Sequence, residues 1–298
     1  MNLRAIYDPY SMQGAEEALR GLRDDTSVPC QLLINALRQF FSREVSTIEK
    51  PYLSRIKALR LRLAKSREPL SQIDYGAGHA ESGSASQGMS RDRMNLVTVG
   101  KVFRDASVPP IWGFLLFRII REFKPTSCLE LGTSLGISAG YEAAALELNG
   151  SGRIVTLEGS EAVAARAREH LVELGLNATV ITGRFQDNLG SVLQAHRPVD
   201  YAFIDGHHDE HATLDYFELI SSHLSPTAVI VFDDISWSPG MRRAWDTIIA
   251  DQRVKIAVDF SKLGVCIMAN SIERRQAFRC SLSRWQKALV RVGTSDIG

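Results

Sequence analysis

Cysteine is scarce and scattered. Cys30, Cys128, Cys266 and Cys280 are the only four in 298 residues, and no two form a C-x-x-C pair. That excludes a disulfide framework or a zinc knuckle and suits a reducing compartment, so each cysteine reads as a small core or surface residue. An excess of one charge is missing too. Lys and Arg number 35 against 34 Asp and Glu, a formal net charge of +1, so nothing global favours nucleic acid or an anionic membrane surface. Uninterrupted apolar runs fall short of the roughly eighteen residues a span requires; the nearest, IWGFLLFRII at 111–120, contains Arg118. The opening MNLRAIYDPYSMQGAEE carries acidic and polar residues where a secretory signal needs an apolar core. No internal repeat is visible. These absences point to a soluble, cytoplasmic globular protein, and the composition, 45% hydrophobic and 23% charged, suits one large domain or a domain with an appendage.

What is present divides the chain. Residues 1–74 read as a helical extension: Leu33, Leu37, Phe40, Phe41 and Val45 recur at helical spacing, as do Leu53, Ile56, Leu59 and Leu63 after Pro51. The second of these helices is basic (Arg55, Lys57, Arg60, Arg62, Lys65, Arg67) and reads as a solvated face. Residues 75–95 turn to Gly and Ser and read as a loop; Gly76-Ala77-Gly78 lacks the third glycine and the following helix of a phosphate loop. From about 124, short β-rich runs alternate with amphipathic helices. The strands are expected at 127–132, 153–159, 178–183, 199–206, 227–234, 254–260 and 264–270, and a helix at 160–174 is expected to open on Ser160 as its cap and stop at Gly175. Alternation with nearly continuous apolar strands is the pattern of an α/β, doubly wound, Rossmann-like, mostly parallel seven-stranded sheet. The domain should span 96–273, with 274–298 a C-terminal helical tail.

In such sheets ligands lie beyond the carboxyl ends of the strands. The first strand runs into Glu130-Leu131-Gly132-Thr133-Ser134-Leu135-Gly136, with a helix beginning near Ser138. Glycines there let the backbone turn and approach a ligand, and free amides at a helix start hold anionic groups. The second strand ends in Glu158-Gly159, a carboxylate placed for a ribose diol. The third leads to Phe185-Gln186, an aromatic face and an amide suited to adenine. Together they describe an adenosine-containing cofactor. Glu130, Gly132, Thr133, Ser134, Gly136, Ser138, Glu158, Gly159, Phe185, Gln186 and Asp205 are the candidate contacts.

With its E-x-G-x-x-x-G turn and the acidic strand end Glu158, the chain resembles the class I S-adenosylmethionine-dependent methyltransferases over roughly 110–270. GVCIMAN at 264–270 is similar to the antiparallel last strand of that fold. FIDGHH followed by VFDDISWSPGMRRAW resembles the branch with metal-dependent sugar and macrolide O-methyltransferases and cephalosporin-hydroxylase-like proteins. The resemblance implies S-adenosyl-L-methionine as cofactor, Asp205, Asp233 and Asp234 as metal ligands, and His208 as general base, with Asp205 beside it. Adjacent parallel strands ending in Asp205 and Asp233-Asp234 would bring three carboxylates together, and these repel unless protons or a cation neutralise them. A divalent ion with oxygen ligands, Mg²⁺ first, is the simplest solution. His207, Asp209, Glu210 and His211 fall to loop and helix-start duties, while Tyr141, Trp237 and Trp245 are acceptor-pocket candidates that read first as packing.

The expected activity is O-methylation of a small hydroxylated molecule or sugar, with no nucleic-acid or membrane partner and with the N-terminal helices as candidate homo-oligomer contacts. Two other classes share these features in part: a nicotinamide-dependent oxidoreductase on a similar sheet, and a non-catalytic cofactor-binding scaffold.

Overall fold

The structure is a computed structural model that describes residues 22, 25–74 and 93–280. Among the described residues, the elements in chain order begin with the helices α1 (Val28–Ser42) and α2 (Lys50–Ala64), then a hairpin of β1 (Pro69–Asp74) and β2 (Arg93–Thr98), then α3 (Val99–Ala106) and α4 (Pro110–Phe123). The alternating part follows as β3 (Ser127–Leu131), α5 (Ile137–Asn149), β4 (Arg153–Glu158), α6 (Glu161–Glu173), β5 (Thr179–Thr182), α7 (Phe185–His196), β6 (Val199–Ile204), α8 (Glu210–Ser221), β7 (Leu224–Phe232), α9 (Pro239–Ala250), β8 (Val254–Asp259), β9 (Gly264–Ala269) and β10 (Gln276–Arg279).

All seven expected strands form. They lie in an eight-stranded sheet of order β10-β8-β9-β7-β6-β3-β4-β5, parallel except for β9, which runs antiparallel to both neighbours. Strand residues alternate between two cores because successive side chains point to opposite faces. Tyr201, Phe203, Val229, Val231, Val265 and Ile267 face one side, while Ala202, Ile204, Ala228, Ile230, Cys266 and Met268 face the other.

Three expectations about the ends of the domain need correction. Residues 69–74 and 93–98 pair as an antiparallel hairpin, where the helical extension and the loop were expected; β2 shows Met94 and Leu96 to solvent, so its alternation is weak as a core signal. Residues 276–279 form β10 at the sheet edge beside β8, where a helical tail was expected; four residues of half-exposed pattern give little periodicity to read. Gly76-Ala77-Gly78 and residues 281–298 lie outside the described residues.

The N-terminal helices form a layer of the domain. Leu33, Leu37 and Phe40 of α1 and Ile56, Leu59 and Leu63 of α2 are buried in the same core as α4, α5 and one sheet face. Phe40 stacks on Trp112 at 6.2 Å and meets Phe260 edge-on at 6.2 Å. Arg118, the charge inside the apolar run of α4, is 2% exposed. Its Nη1 donates to Glu49 Oε1 at 2.6 Å, with Arg121 Nε 3.4 Å from the same oxygen. Burial raises the Glu49 carboxyl, but the hydrogen bonds from Arg118 and Ser46 and the charge of Arg118 together outweigh this and hold it below its ordinary range. Arginines of the basic helix are also engaged internally, Arg60 with the Val108 carbonyl at 2.7 Å and Arg62 with Glu173.

Candidate active site

The register of β4, β3, β6 and β7 brings their carboxyl ends into line. Gly132 leaves β3 with φ +103°, and a Cβ there would lie 1.9 Å from the Asp205 carbonyl oxygen. Only glycine lets the two strand ends touch in this way. Gly136, with φ +79°, caps α5 without a side-chain bond, so the first amides of that helix are turned toward the strand ends.

Glu158 holds the turn from the side. Its Oε2 accepts from Ser134 N at 2.8 Å and its Oε1 from Ser160 N at 3.0 Å, and burial raises its pKa. The Gly159 amide also faces this carboxylate; with about four acceptor positions, Glu158 keeps room for a ligand hydroxyl. Ser160 sits at the start of α6 but makes no side-chain cap; its Oγ accepts from Ile73 N at 3.2 Å, tying the hairpin to this corner. Glu130 is fully buried. Its Oε2 accepts from Thr156 Oγ1, which is 2.5 Å from Thr133 Oγ1, and Ser138 donates to it as well. Burial lifts the Glu130 carboxyl to about 7. Thr133 and Ser138 are therefore spent on bracing Glu130, while Glu130 Oε1 and Ser134 Oγ are buried with no partner. Two unpaired polar atoms flanking a glycine turn fit a polar ligand that brings its own donors.

Phe185 is 7% exposed and its ring sits against His207 and Tyr216 at 5.5 and 6.0 Å. Of the expected adenine-facing pair, Gln186 is the exposed member. Gly159, the residue after Glu158, is half-buried.

The expected acidic cluster assembles. Asp205 N donates to Leu131 O at 2.8 Å and Asp233 N to Ile204 O at 2.9 Å, so the ladders deliver both carboxylates to one edge. Asp234 follows in a left-handed turn with φ +52°, its N donating to Asp233 Oδ1 at 2.8 Å. Burial, then Asp233, push the Asp205 carboxyl well up, and burial also raises Asp233. His208, at φ +32°, lies between the carboxylates: Nε2 is 3.7 Å from Asp205 Oδ1 and Nδ1 is 3.7 Å from Asp234 Oδ2. Backbone strain of this kind gathers where surrounding structure over-determines a site.

The neighbours divide as expected. His207 Nδ1 is 2.8 Å from Tyr216 Oη. Asp209 caps α8, accepting from His211 N and Ala212 N. Glu210 binds Arg243, and Arg242 binds Asp246 and Asp259, so these arginines serve ion pairs. Tyr141 is packed over Gly113 and Trp245 over Gly264. Trp237 differs: it is 55% exposed with its ring 6.2 Å from His208.

One residue of the cluster was not foreseen. Lys262 Nζ lies 2.6 Å from Asp234 Oδ1, and 2.9 and 3.0 Å from the two oxygens of Asp233. It stands in the turn between β8 and β9. Both strands are legible, and the antiparallel return of the second is the signal that puts this turn beside the end of β7. Three carboxylates have the donor chemistry of a hard divalent ion, yet the ammonium fills the space between two of them. Among the described residues no group of three or more His, Cys, Asp or Glu side chains is arranged to hold a metal ion. The expected Mg²⁺ on Asp205, Asp233 and Asp234 does not fit the cluster in this arrangement.

Residues 129–235 match the family model described as a methyltransferase domain. That stretch carries the glycine turn, Glu158 and all three aspartates. The catechol O-methyltransferase of Niastella koreensis is 33% identical over 132 residues, 43% of this chain and 58% of that protein. The chain thus spans 58% of the length of this curated relative. Among solved structures, an O-methyltransferase from Bacillus cereus with bound S-adenosylhomocysteine is 27% identical, covering 56% of this chain and 84% of that one at a TM-score of 0.48. The Streptomyces achromogenes O-methyltransferase of tomaymycin synthesis, bound to S-adenosylmethionine, is 24% identical, covering 55% and 82% at 0.48.

Proposed function

We propose that the chain is an S-adenosylmethionine-dependent O-methyltransferase acting on a small hydroxylated molecule or a sugar. The observation that carries this is the coincidence of the methyltransferase family match with the turn at 130–136 and Glu158. Glu158 would take the ribose diol, and the unpaired Glu130 Oε1 and Ser134 Oγ would meet the polar groups of the methionine moiety. When bound, the cofactor supplies a methyl carbon on a positively charged sulfur.

The chain's own groups position the nucleophile. His208 takes the proton from the acceptor hydroxyl, and Asp205 and Asp234 flanking its ring hold the imidazolium that results. With that proton held on His208, the acceptor oxygen would be free to take, in line, the methyl group that the bound cofactor would supply, the sulfonium leaving as a neutral thioether. Orientation supplies much of the rate in such a displacement. Exposed Trp237 beside His208 offers a flat face on which a ring can stack, and the name of the Niastella relative, with its vicinal diol, is in keeping with a hydroxylated ring as acceptor. Lys262, rather than an ion, occupies the acidic cluster in this mechanism.

Calorimetry of the full chain tests the reading: S-adenosylhomocysteine should bind and NAD should not, and absence of S-adenosylhomocysteine binding at millimolar ligand sinks it. A cytoplasmic location is proposed with it; among the described residues no helix is long and apolar enough to cross a membrane. Assembly through the N-terminal helices would use their exposed apolar side chains Val28 and Leu61, with Val45 and Ile48 of the segment between them, and sedimentation velocity decides it.

A further inference from the structure

The acidic cluster is faced by two potential cations from different elements. His208 comes from the loop after β6, and Lys262 comes from the turn between β8 and β9. Only the lysine makes close contact, reaching three oxygens within 3.0 Å.

Its position is built into the backbone. Phe260 N donates to Leu263 O at 2.8 Å, closing the turn, and Ile235 N donates to Lys262 O at 3.1 Å. The residue after Asp234 is thereby fastened to the lysine's own peptide. Ser261 takes φ +71° and its N donates to Asp259 Oδ1 at 2.7 Å, while Asp259 is held in turn by Arg242 at 2.6 Å. The Lys262 side chain is 25% exposed. A flexible surface lysine has none of these restraints and would lose rotamer freedom in reaching one geometry.

An ammonium and a divalent ion overlap in part of what they do here. Each neutralises carboxylates that would otherwise repel across adjacent strand ends. Each can also meet an acceptor oxygen, the ion by coordination and the ammonium by hydrogen bonding. Lys has three donors; Asp233 and Asp234 engage two, with the pair of Asp233 oxygens sharing one, and the third remains. An ion bound between Asp233 and Asp234 would need the space that Nζ fills.

We propose that Lys262 is the resident cation of this site, holding Asp233 and Asp234 together and directing its remaining N–H to the acceptor hydroxyl oxygen, so that methyl transfer proceeds without a divalent metal. This rests on the methyltransferase reading above. In the reaction the ammonium forms and breaks no covalent bond; it steadies the oxygen as His208 removes its proton.

Titration of Mn²⁺ into the full chain, followed by the paramagnetic resonance of the free ion, tests this. The native protein should leave the signal of millimolar Mn²⁺ undiminished and keep full turnover in excess chelator. Lys262→Ala should lose turnover by on the order of 10²-fold and take up one Mn²⁺ per chain, an uptake removed by adding Asp234→Asn. A merely structural lysine would not produce that gained site. Stoichiometric Mn²⁺ binding by the native chain that Asp234→Asn abolishes, loss of native turnover in chelator, or unchanged turnover in Lys262→Ala each overturns the proposal. If Lys262→Ala does not fold, the native Mn²⁺ titration and Lys262→Gln decide it. S-adenosylhomocysteine calorimetry on the same preparation separates the two readings, because failure to bind there sinks the methyltransferase assignment while the Mn²⁺ result still judges the lysine.

Discussion

At Gly132 two backbones come closer than any side chain allows. A Cβ would meet the Asp205 carbonyl at 1.9 Å, in a conformation with φ +103°. Gly132→Ala should therefore push β3 and β6 apart at the site, lowering the melting temperature and weakening S-adenosylhomocysteine by more than tenfold. Glu130 gives a pH signature. Burial raises its carboxyl from 4.5 to about 7, so the folded chain binds this proton more tightly than the unfolded one. Its contribution is whole below pH 4.5, falls as pH rises through 7, and is flat above that. Glu130→Gln, which keeps a neutral side chain, should gain stability relative to native between pH 4.5 and pH 8, by about 3 kcal/mol at most; parallel denaturation curves at the two pH values refute this. His208→Ala should lower kcat by roughly 10²–10⁴-fold with S-adenosylhomocysteine affinity unchanged, whereas equal losses in both would make His208 a binding residue. The glycines, Glu158 and the aspartates were legible because each ends a readable strand. Lys262 was not, since a lone lysine at a turn tip carries no pattern until the neighbour of its strand is known.

Between elements, the tie of α2 to α4 is an ion pair with almost no solvent. Glu49→Ala would leave Arg118, 2% exposed, without its carboxylate, and such breakage costs about 3–5 kcal/mol; Glu49→Ala with Arg118→Met should recover much of it. Differential scanning calorimetry of the three proteins checks both statements. The helix 110–123 was readable from its apolar run, but the reason for Arg118 inside it was not, because the partner lies 69 positions away. Strands β1, β2 and β10 escaped for a local reason: they pair at the margins, where half-exposed residues break the alternation that marks a core strand.

At the scale of the molecule, the expected parallel sheet with one reversed strand forms, and the expected adjacency of the strands ending in Asp205 and Asp233 holds, while the pairing of β3 with β6 is not given by strand order. The role of the first seventy residues was not implied. Their apolar faces read equally well as an appendage or an oligomer contact, and those of residues 28–64 instead cover one face of the sheet. Removing residues 1–68 should expose Trp112, Phe260 and their neighbours, giving a chain that binds a hydrophobic dye and aggregates; a monomeric, cooperatively melting fragment would show that the layer is dispensable.

The contact of Phe40 with Trp112 and Phe260 reaches further than packing. Phe260 begins the turn that carries Lys262, two residues on, so helix α1 is the footing on which that charge is aimed. Aim matters at this range, since a displacement of 1 Å can cost on the order of 10²-fold in rate. The tolerance of the site for misplacement is thus set in part by a helix that touches none of its reacting groups, and substitutions at Phe40 should be felt as errors of alignment at Asp233 and Asp234.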